Sequence, residues 1–312
     1  MSSFPLAVRV PASTSNLGPG FDCLGLALSL RLELRLLAPI GGSQHSIARS
    51  GSLREELRGA ARDLSLAAFE RAAARLGIPG AFAFEAASEI PVGRGFGSSG
   101  AAIAAGLLLA DALAETPLAP RELLELGIEL EGHPDNVTAA LAGGCTLCHP
   151  SPRGTGPVFL APPIHPSIGF ALAWPGFPLP TERARGALPA SYPRADALEN
   201  ARRLPFLLAG LAQGDPELLA IGGEDRLHVP HRLPLIRGAR RALDAARGAG
   251  AWLATISGAG SGLVALGPHD RIALVATAME QVFSEDLGQA ESRVVRPVLG
   301  APVVERPGGP AP

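Results

Sequence analysis

The sequence contains no lysine, and all 27 basic residues among its 312 are arginine. A Schiff-base nucleophile, a lysine general base and the lysine of a Walker A loop are therefore excluded. Aromatic residues make up only 4% of the chain, too few for a platform on which nucleic-acid bases stack. Because 29 acidic residues bring the formal charge to −2, the clustered positive charge that nucleic-acid binding requires is missing as well. We expect no nucleic-acid partner.

Cysteine is also scarce, and Cys23, Cys145 and Cys148 are too few for a disulfide scaffold. They favour a reducing, cytoplasmic location. Because the N-terminal residues already read as a strand, we expect no signal peptide. The uncharged stretch 155–181 holds seven prolines, and the apolar run 101–110 is shorter than the roughly 20 residues that span a bilayer. We expect a soluble protein with no membrane partner.

Hydrophobic patterning predicts an α+β fold. Leucines at every second position from Leu26 to Leu36, with charged residues between several of them, predict a half-buried antiparallel strand. Helical spacing follows over 63–76, 98–115 and 120–132. Because strands and helices alternate irregularly, α+β is favoured over a doubly wound parallel sheet.

The proline-rich segment 150–166 is the best candidate for a domain linker. We place an N-terminal domain over residues 1–155 and a C-terminal domain over 156–312. The last residues, from Ala301 onwards, are expected to be a frayed tail.

A glycine-rich loop is the sharpest local feature of the sequence. Its glycines let the backbone approach a ligand closely, and the helix that follows begins at two serines, where N–H groups and the helix dipole favour an anion. The pattern predicts a phosphate site, with a plain strand-to-helix turn capped by serine as the alternative. The predicted nucleotide-binding residues are Pro91, Val92, Gly93, Arg94, Gly95, Phe96, Gly97, Ser98, Ser99, Gly100 and Ala101.

Three further segments of the sequence bear on the function of the loop. They are PASTSNLGPGFDCLGLAL (11–28), EGHPDNVTAALAGG (131–144) and SGAGSG (257–262). In this order the glycine-bearing motifs resemble the GHMP small-molecule kinases, and the first two are similar to those of the homoserine kinases in that family. TERARGALP (181–189) and DRLHVPHRLPLI (225–236) extend the resemblance to roughly residues 6–300.

The sequence departs from the family pattern at several points. Arg94 and Phe96 stand where a small residue and leucine are usual, and Gly100 stands where alanine is common. The third motif is SGAGSG, where the family usually has SGSGPT or similar. The glycines are kept, so the backbone contacts with a nucleotide are expected to persist.

The resemblance implies a fold and a reaction. The fold is an N-terminal domain like ribosomal protein S5 followed by a ferredoxin-like domain, with the active site between them. The reaction is transfer of the γ-phosphoryl group of ATP to the hydroxyl of L-homoserine, a step of threonine biosynthesis. A homodimer is the oligomeric state considered. The alternatives are a kinase for another small alcohol, such as a mevalonate-type acceptor, and a catalytically silent ligand-binding protein of this fold.

The resemblance also implies a metal site. ATP-dependent phosphoryl transfer uses Mg²⁺, which prefers oxygen ligands. We expect a serine hydroxyl, that of Ser99 or Ser98, and a glutamate to hold it. Glu125, Glu129 and Glu131 compete for the second role, and Glu131 is preferred because it belongs to the matching EGHPDN string.

The acceptor site implied by the resemblance is charged. Arg185 and Arg232 match the positions that bind the acceptor carboxylate, and a guanidinium can hold a carboxylate by two parallel hydrogen bonds. Asp22 matches the residue that meets the ammonium, supported by Asn16, and Thr181 lies one helical turn before Arg185. Alternatively, Asn16 and Asp22 cap turns, and Arg185 and Arg232 are solvated surface residues.

The HPDN string supplies the remaining candidate catalytic residues, beside Arg185. Asn136 occupies a position where mevalonate-type relatives have a proposed aspartate base, and a neutral amide cannot accept a proton near pH 7. We expect Asn136 to orient the acceptor hydroxyl, which then attacks without a strong protein base. His133 is the one local group that titrates near neutrality, and it is the alternative base.

A second motif competes with this interpretation. Cys145 to His149 match C-x-x-C-H, the pattern of haem attachment, and cysteine with histidine also binds zinc. Since the motif lies in a strand-like run and no export signal is visible, we expect both cysteines to be small buried residues.

Overall fold

The computed structural model describes residues 4–57, 63–151 and 154–307. In these ranges the chain forms two β-sheets with helices packed against them, which confirms the α+β prediction. The strands are β1 (Leu6–Asn16), β2 (Gly20–Ile40), β3 (Ser46–Arg49), β4 (Ala81–Ser88), β5 (Cys145–His149), β6 (Val158–Leu160), β7 (Ile168–Pro175), β8 (Leu253–Ile256), β9 (Leu263–Pro268), β10 (Ala290–Val295) and β11 (Val304–Glu305).

The helices connect and cover the two sheets. They are α1 (Ser52–Glu56), α2 (Leu64–Leu76), α3 (Ser98–Leu113), α4 (Pro120–Glu131), α5 (Asp135–Ala142), α6 (Thr181–Gly186), α7 (Arg194–Gln213), α8 (Pro216–Gly222), α9 (Val229–Arg232), α10 (Ala239–Gly248) and α11 (Ile272–Leu287). No helix among the described residues is both long and apolar enough to cross a membrane.

The first sheet has seven strands, in the order β11-β1-β2-β4-β3, with β5 paired to β2 and β6 paired to β5. The alternating leucines lie on β2, which pairs antiparallel with β1 and β4, as the pattern predicted. Their side chains at Leu32, Leu34 and Leu36 are buried, while Arg31, Glu33 and Arg35 stay partly exposed. The second sheet has the order β10-β7-β9-β8 and is antiparallel throughout.

Local signals determine where helix α2 begins and ends. The carboxylate of Asp63 accepts hydrogen bonds from the N–H groups of Ser65 and Leu66, so it caps the N-terminus. Gly77 ends the helix in the left-handed conformation, with φ of 68°. Helix α2 packs against α3, and α3 in turn packs against β1 and β2 of the first sheet.

The chain crosses the predicted domain boundary more than once. Strand β6 lies beyond residue 155 but pairs with β5 in the first sheet. Strand β11 returns from the C-terminal end to pair with β1, so this part of the expected frayed tail is docked as a strand. Residues 308–312 of that tail lie outside the described residues. Apolar side chains of β7, such as Phe170 and Leu172, belong to the same buried core as β1 and β2, so part of the C-terminal half packs into the core of the first sheet. A second core lies between the second sheet and helices α10 and α11.

Candidate active site

One cleft brings together the segments that the motifs singled out. It has a volume of about 300 Å³ and is lined by the end of β1, the glycine loop, the α4–α5 junction, the starts of α3 and α6, Arg232 of α9 and the turn at 257–262. All of the predicted acceptor-binding residues line it: Asn16, Asp22, His133, Asn136, Thr181, Arg185 and Arg232.

The carbonyl groups of the glycine loop are bound by the surrounding scaffold. Leu179 N donates to Gly93 O (3.0 Å) and Gly262 N donates to Arg94 O (3.0 Å). Ser257 Oγ donates to Gly95 O (2.7 Å) and Ser13 N donates to Phe96 O (3.1 Å). Because a trans peptide holds its N–H opposite its C=O, the N–H groups of residues 94–97 point the other way. The loop therefore presents N–H groups away from the scaffold, as a backbone anion site requires.

Only part of the predicted loop lines the cleft. Val92, Gly93, Gly95, Gly97, Ser98 and Ser99 line the cleft. The other predicted loop residues, Pro91, Arg94, Phe96, Gly100 and Ala101, are not among its lining residues. Arg94 instead donates to Gly176 O at 3.0 Å, and Phe96 is buried against Trp174 with ring centroids 5.4 Å apart. Both departures from the family pattern therefore serve packing behind the loop.

A serine and a glutamate meet at the start of α3. Ser99 Oγ donates a 2.6 Å hydrogen bond to Glu131 Oε1. Of the three competing glutamates only Glu131 lines the cleft, since Glu125 is exposed and Glu129 pairs with Arg71 at the surface. Burial raises the pKa of Glu131. The nearby His133 acts to lower this pKa, but burial prevails.

This pair fits a magnesium ion that is bound mainly through phosphates. Glu131 Oε2 has no hydrogen-bond partner within the described ranges, and it belongs to a carboxylate at the cleft. Mg²⁺ typically takes one or two carboxylates together with substrate phosphates and water, so a cage of several acidic residues is not needed. The described residues contain no such cage.

His133 links two buried carboxylates. Its Nδ1 lies 2.7 Å from Asp135 Oδ1, and its Nε2 lies 3.7 Å from Glu131 Oε1. Burial lowers the pKa of His133, but the bond to Asp135 and the charges of both carboxylates outweigh it, and the pKa is raised overall. Burial raises the pKa of Asp135, and the contacts with His133 and with the N–H of Asn136 lower it overall. The imidazole thus lies between two carboxylates at the cleft, beside the glycine loop.

The carboxamide of Asn136 is held from three sides. Its Nδ2 donates to Ser15 Oγ at 3.1 Å and to Asp135 Oδ1 at 3.2 Å, while its Oδ1 accepts from Ser13 Oγ at 2.9 Å. Both amide hydrogens are therefore engaged, and one acceptor position on Oδ1 remains. Ser13 and Ser15 were not predicted as functional residues, although both lie in the string PASTSN.

The two residues predicted to bind opposite ends of an acceptor are bonded to each other. Arg185 donates two parallel hydrogen bonds to Asp22, of 3.0 Å from Nη1 and 2.7 Å from Nη2. Each side chain is 37% exposed, and both line the cleft. The bond to Asp22 raises the pKa of Arg185.

Arg232 is the second cleft arginine, and it is only 2% exposed. Its Nη1 donates to Gly258 O at 3.1 Å, and its guanidinium lies 5.0 Å from the centroid of the Phe21 ring. Burial lowers the pKa of Arg232, as does the charge of Arg185.

The turn between β1 and β2 carries backbone strain. Asn16, Leu17 and Asp22 have φ of 71°, 45° and 56°, a region that residues other than glycine rarely adopt. The turn is held because Asn16 Oδ1 accepts from Asp22 N at 3.1 Å and Asn16 Nδ2 donates to Gly258 O at 3.0 Å. Strain of this kind clusters at functional sites, and here it places Asp22 at the cleft.

The far end of the cleft is apolar and was not predicted from the sequence. Leu53, Leu57 and Leu64 line it, beside an ion pair between Arg49 and Asp63. No motif marks these residues, because an apolar wall has no distinctive sequence pattern.

The cysteine motif does not form a ligand site. Cys145 and Cys148 are free and buried in β5, while His149 is exposed. Burial raises the pKa of Cys145 to about 12, so this thiol stays protonated. The expectation of small buried cysteines is confirmed.

Comparison with known proteins places this cleft in a family. Residues 63–144 match the GHMP kinases N-terminal domain, and residues 207–285 match the GHMP kinases C-terminal domain. A homoserine kinase of Picosynechococcus sp. is 43% identical over 281 residues, which are 88% of this chain and 91% of that protein. A homoserine kinase of Gloeobacter violaceus is 42% identical over 282 residues, 89% of this chain and 93% of that protein.

Solved structures agree with these relatives. The crystal structure of homoserine kinase from Cytophaga hutchinsonii has a TM-score of 0.83 and 26% identity, and the match covers 96% of this chain and 97% of that one. Mevalonate kinase of L. major, in complex with R-mevalonate, has a TM-score of 0.70 at 17% identity and covers 94% and 97%, a likeness that shows the fold alone.

Proposed function

The chain belongs to the GHMP kinase family, among the homoserine kinases, and we propose that its cleft transfers the γ-phosphoryl group of ATP to the hydroxyl of L-homoserine. The observation that carries the proposal is the pairing, in one cleft, of a backbone anion site with two arginines and an aspartate suited to a zwitterion. The product is O-phospho-L-homoserine, an intermediate on the route to threonine.

The glycine loop binds the phosphates of ATP in this proposal. Its N–H groups at 94–97 and the first N–H groups of α3 supply hydrogen bonds without a lysine. Glu131 and Ser99 would hold Mg²⁺, and the metal would supply neutralisation of phosphate charge. The apolar end of the cleft, beside Leu53 and Leu64, accommodates the nucleotide base.

Homoserine binding is an exchange of partners. The bidentate bond between Arg185 and Asp22 opens, the acceptor carboxylate takes Arg185 and Arg232, and the acceptor ammonium takes Asp22. Thr181 and Asn16 lie at the same end of the cleft and complete the polar lining. An acceptor with both charges replaces every bond that it breaks, so the site selects for a zwitterion.

The acceptor hydroxyl is oriented rather than strongly deprotonated. The remaining acceptor position on Asn136 Oδ1 receives the hydroxyl proton as a hydrogen bond. His133 is occupied between Asp135 and Glu131, which leaves it a charge-balancing role. Positioning and charge neutralisation are the main demands of phosphoryl transfer, and this arrangement meets both.

A coupled ADP-release assay tests the proposal. The purified chain is incubated with Mg·ATP and one acceptor at a time: L-homoserine, L-serine, mevalonate or 4-hydroxybutanoate. We expect homoserine to give the highest kcat/KM, with O-phosphohomoserine identified by mass. A preference for mevalonate would assign the chain to another alcohol, and no turnover with any acceptor would favour a silent ligand-binding protein.

Two further properties belong to the proposal. We assign the enzyme to the cytoplasm, which supplies ATP and where free thiols such as Cys23 stay reduced. The oligomeric state, for which we consider a homodimer, is measured by sedimentation velocity on the same preparation.

A further inference from the structure

A buried histidine lies directly behind the acceptor end of the cleft. His228 precedes α9, has no exposed surface and does not line the cleft. Its ring stacks on Phe21 with centroids 4.9 Å apart and an interplanar angle of 18°. The same Phe21 ring faces the guanidinium of Arg232. The histidine therefore packs against the acceptor site without reaching a bound ligand.

The two neighbours of the imidazole determine its tautomer. His228 Nε2 lies 2.9 Å from Gly18 O, and a carbonyl oxygen only accepts, so Nε2 must carry the proton. His228 Nδ1 lies 3.4 Å from Arg232 Nη1, and a guanidinium only donates, so Nδ1 must be the acceptor. The buried carboxylate of Asp225 lies 3.9 Å from Nε2, beyond hydrogen-bond distance, and its charge raises the pKa of His228. Burial outweighs that charge and lowers the pKa overall, which agrees with a neutral ring.

The imidazole joins the two segments that supply the charges of the acceptor site. One is the strained turn from Asn16 to Asp22, which Gly18 O belongs to. The other is Arg232, whose Nη1 is shared between His228 and Gly258 O. Arg232 Nη2 has no hydrogen-bond partner in the part of the chain that the structure describes, which makes it the nitrogen free to meet a carboxylate.

We propose that His228 is a positioning residue of the acceptor site, whose Nε2–H tautomer holds the Asp22 turn and the Arg232 guanidinium at the spacing that the acceptor's ammonium and carboxylate require. The inference rests on the proposed function for the identity of the acceptor. Because ATP binds at the other end of the cleft, the role predicts an effect on the acceptor alone.

Kinetics of His228→Gln test whether the effect is confined to the acceptor. A glutamine amide donates to Gly18 O from the Nε2 position but offers no acceptor at the Nδ1 position, so the turn is kept and Arg232 is released. We expect KM for homoserine to rise about tenfold, the lower end for a hydrogen bond to a charged group, while KM for ATP stays unchanged. The matched control is His231→Gln, on the same short helix and outside the cleft, which should change neither KM.

Two kinetic outcomes overturn the proposal. One is an unchanged homoserine KM in a folded His228→Gln protein, with folding checked by circular dichroism. The other is an equal rise in both KM values, which would show only a structural role. If homoserine is not the acceptor, the proposed function fails, but the same comparison with the true acceptor still tests His228.

The tautomer is measured on the unaltered protein, so the test does not depend on how a variant folds. Nitrogen-15 spectra of the histidine-labelled full chain should show a protonated Nε2 and an unprotonated Nδ1 for the resonance that disappears in His228→Gln. If that variant does not fold, selective labelling of the wild-type ring is assigned through its contact with Phe21. An imidazolium or an Nδ1–H tautomer at pH 7.5 would refute the proposal.

Discussion

Replacing Asp22 by asparagine tests the proposed exchange of partners between Arg185, Asp22 and a bound acceptor. In the wild type Arg185 is held by two hydrogen bonds to Asp22, of 3.0 and 2.7 Å. The substitution removes the negative charge that holds Arg185 and that would bind an ammonium. It should therefore lower kcat/KM for homoserine. At the same time it should raise kcat/KM for an acceptor that carries only a carboxylate, such as 4-hydroxybutanoate.

The structure sets the size of both effects. Each side chain of the pair is 37% exposed, so solvent screens it and its net strength is about 1 kcal/mol or less. Release of Arg185 should therefore raise kcat/KM for 4-hydroxybutanoate by at most about fivefold. Loss of the ammonium contact costs homoserine roughly 1.5–3 kcal/mol, about 10- to 150-fold in kcat/KM. The preference for homoserine should fall by about one to three orders of magnitude.

The assay is ADP release with both acceptors, at saturating ATP, for the wild type and for Asp22→Asn. Asp270→Asn is the control, because Asp270 is exposed and lies outside the cleft. Melting curves establish that both variants fold. A kcat/KM for homoserine that does not change, or a loss of the same factor with both acceptors, would refute the exchange.

Gly97→Ala should lower stability by about 1–3 kcal/mol, because φ is +68° and the added Cβ lies 2.0 Å from Ser13 Oγ; thermal melting measures it. Glu131→Gln should reduce kcat at least about 100-fold across a Mg²⁺ titration, whereas Glu129→Gln, exposed on the same helix, should not. Asp63→Ala removes the cap of α2, at a cost of about 1–2 kcal/mol at pH 7. Burial raises the pKa of Asp63, but hydrogen bonds lower it overall, so its stabilisation is full above the ordinary value of 3.8 and is lost as the pH falls through the lowered value. Melting from pH 7 to pH 2 should show the gap between wild type and variant closing at the acid end, and a constant gap would contradict the assignment.

Much of the fold could be predicted from local sequence patterns. The alternating leucines of β2, the Asp63 and Gly77 caps of α2 and the serine start of α3 each depend on neighbours a few residues away. The pairing of β11 with β1 could not be predicted, because a strand of two residues has no periodicity. The pairing also depends on a strand almost 300 positions earlier.

The candidate site divides in the same way. Strings such as EGHPDN and PASTSN indicated which residues gather at the cleft, and the structure brings all of the predicted acceptor-binding residues to it. They did not indicate that Arg94 and Phe96 lie outside the cleft lining, or that His228 contacts Arg232. Side-chain direction depends on packing partners from distant segments, which a motif does not contain.

By itself, the sequence determined the chemistry that this protein can and cannot use: no lysine for a phosphate or a Schiff base, a glycine loop before a helix, and arginines in the strings that predict an acceptor site. Tertiary structure alone decided which glutamate meets Ser99, which carboxylates share His133, and that Asp22 pairs with Arg185. The physical reason is the range of the interactions. Turns, caps and periodicity act over a few residues, whereas an ion pair or a buried hydrogen bond needs groups that only the folded backbone brings within about 3 Å of each other.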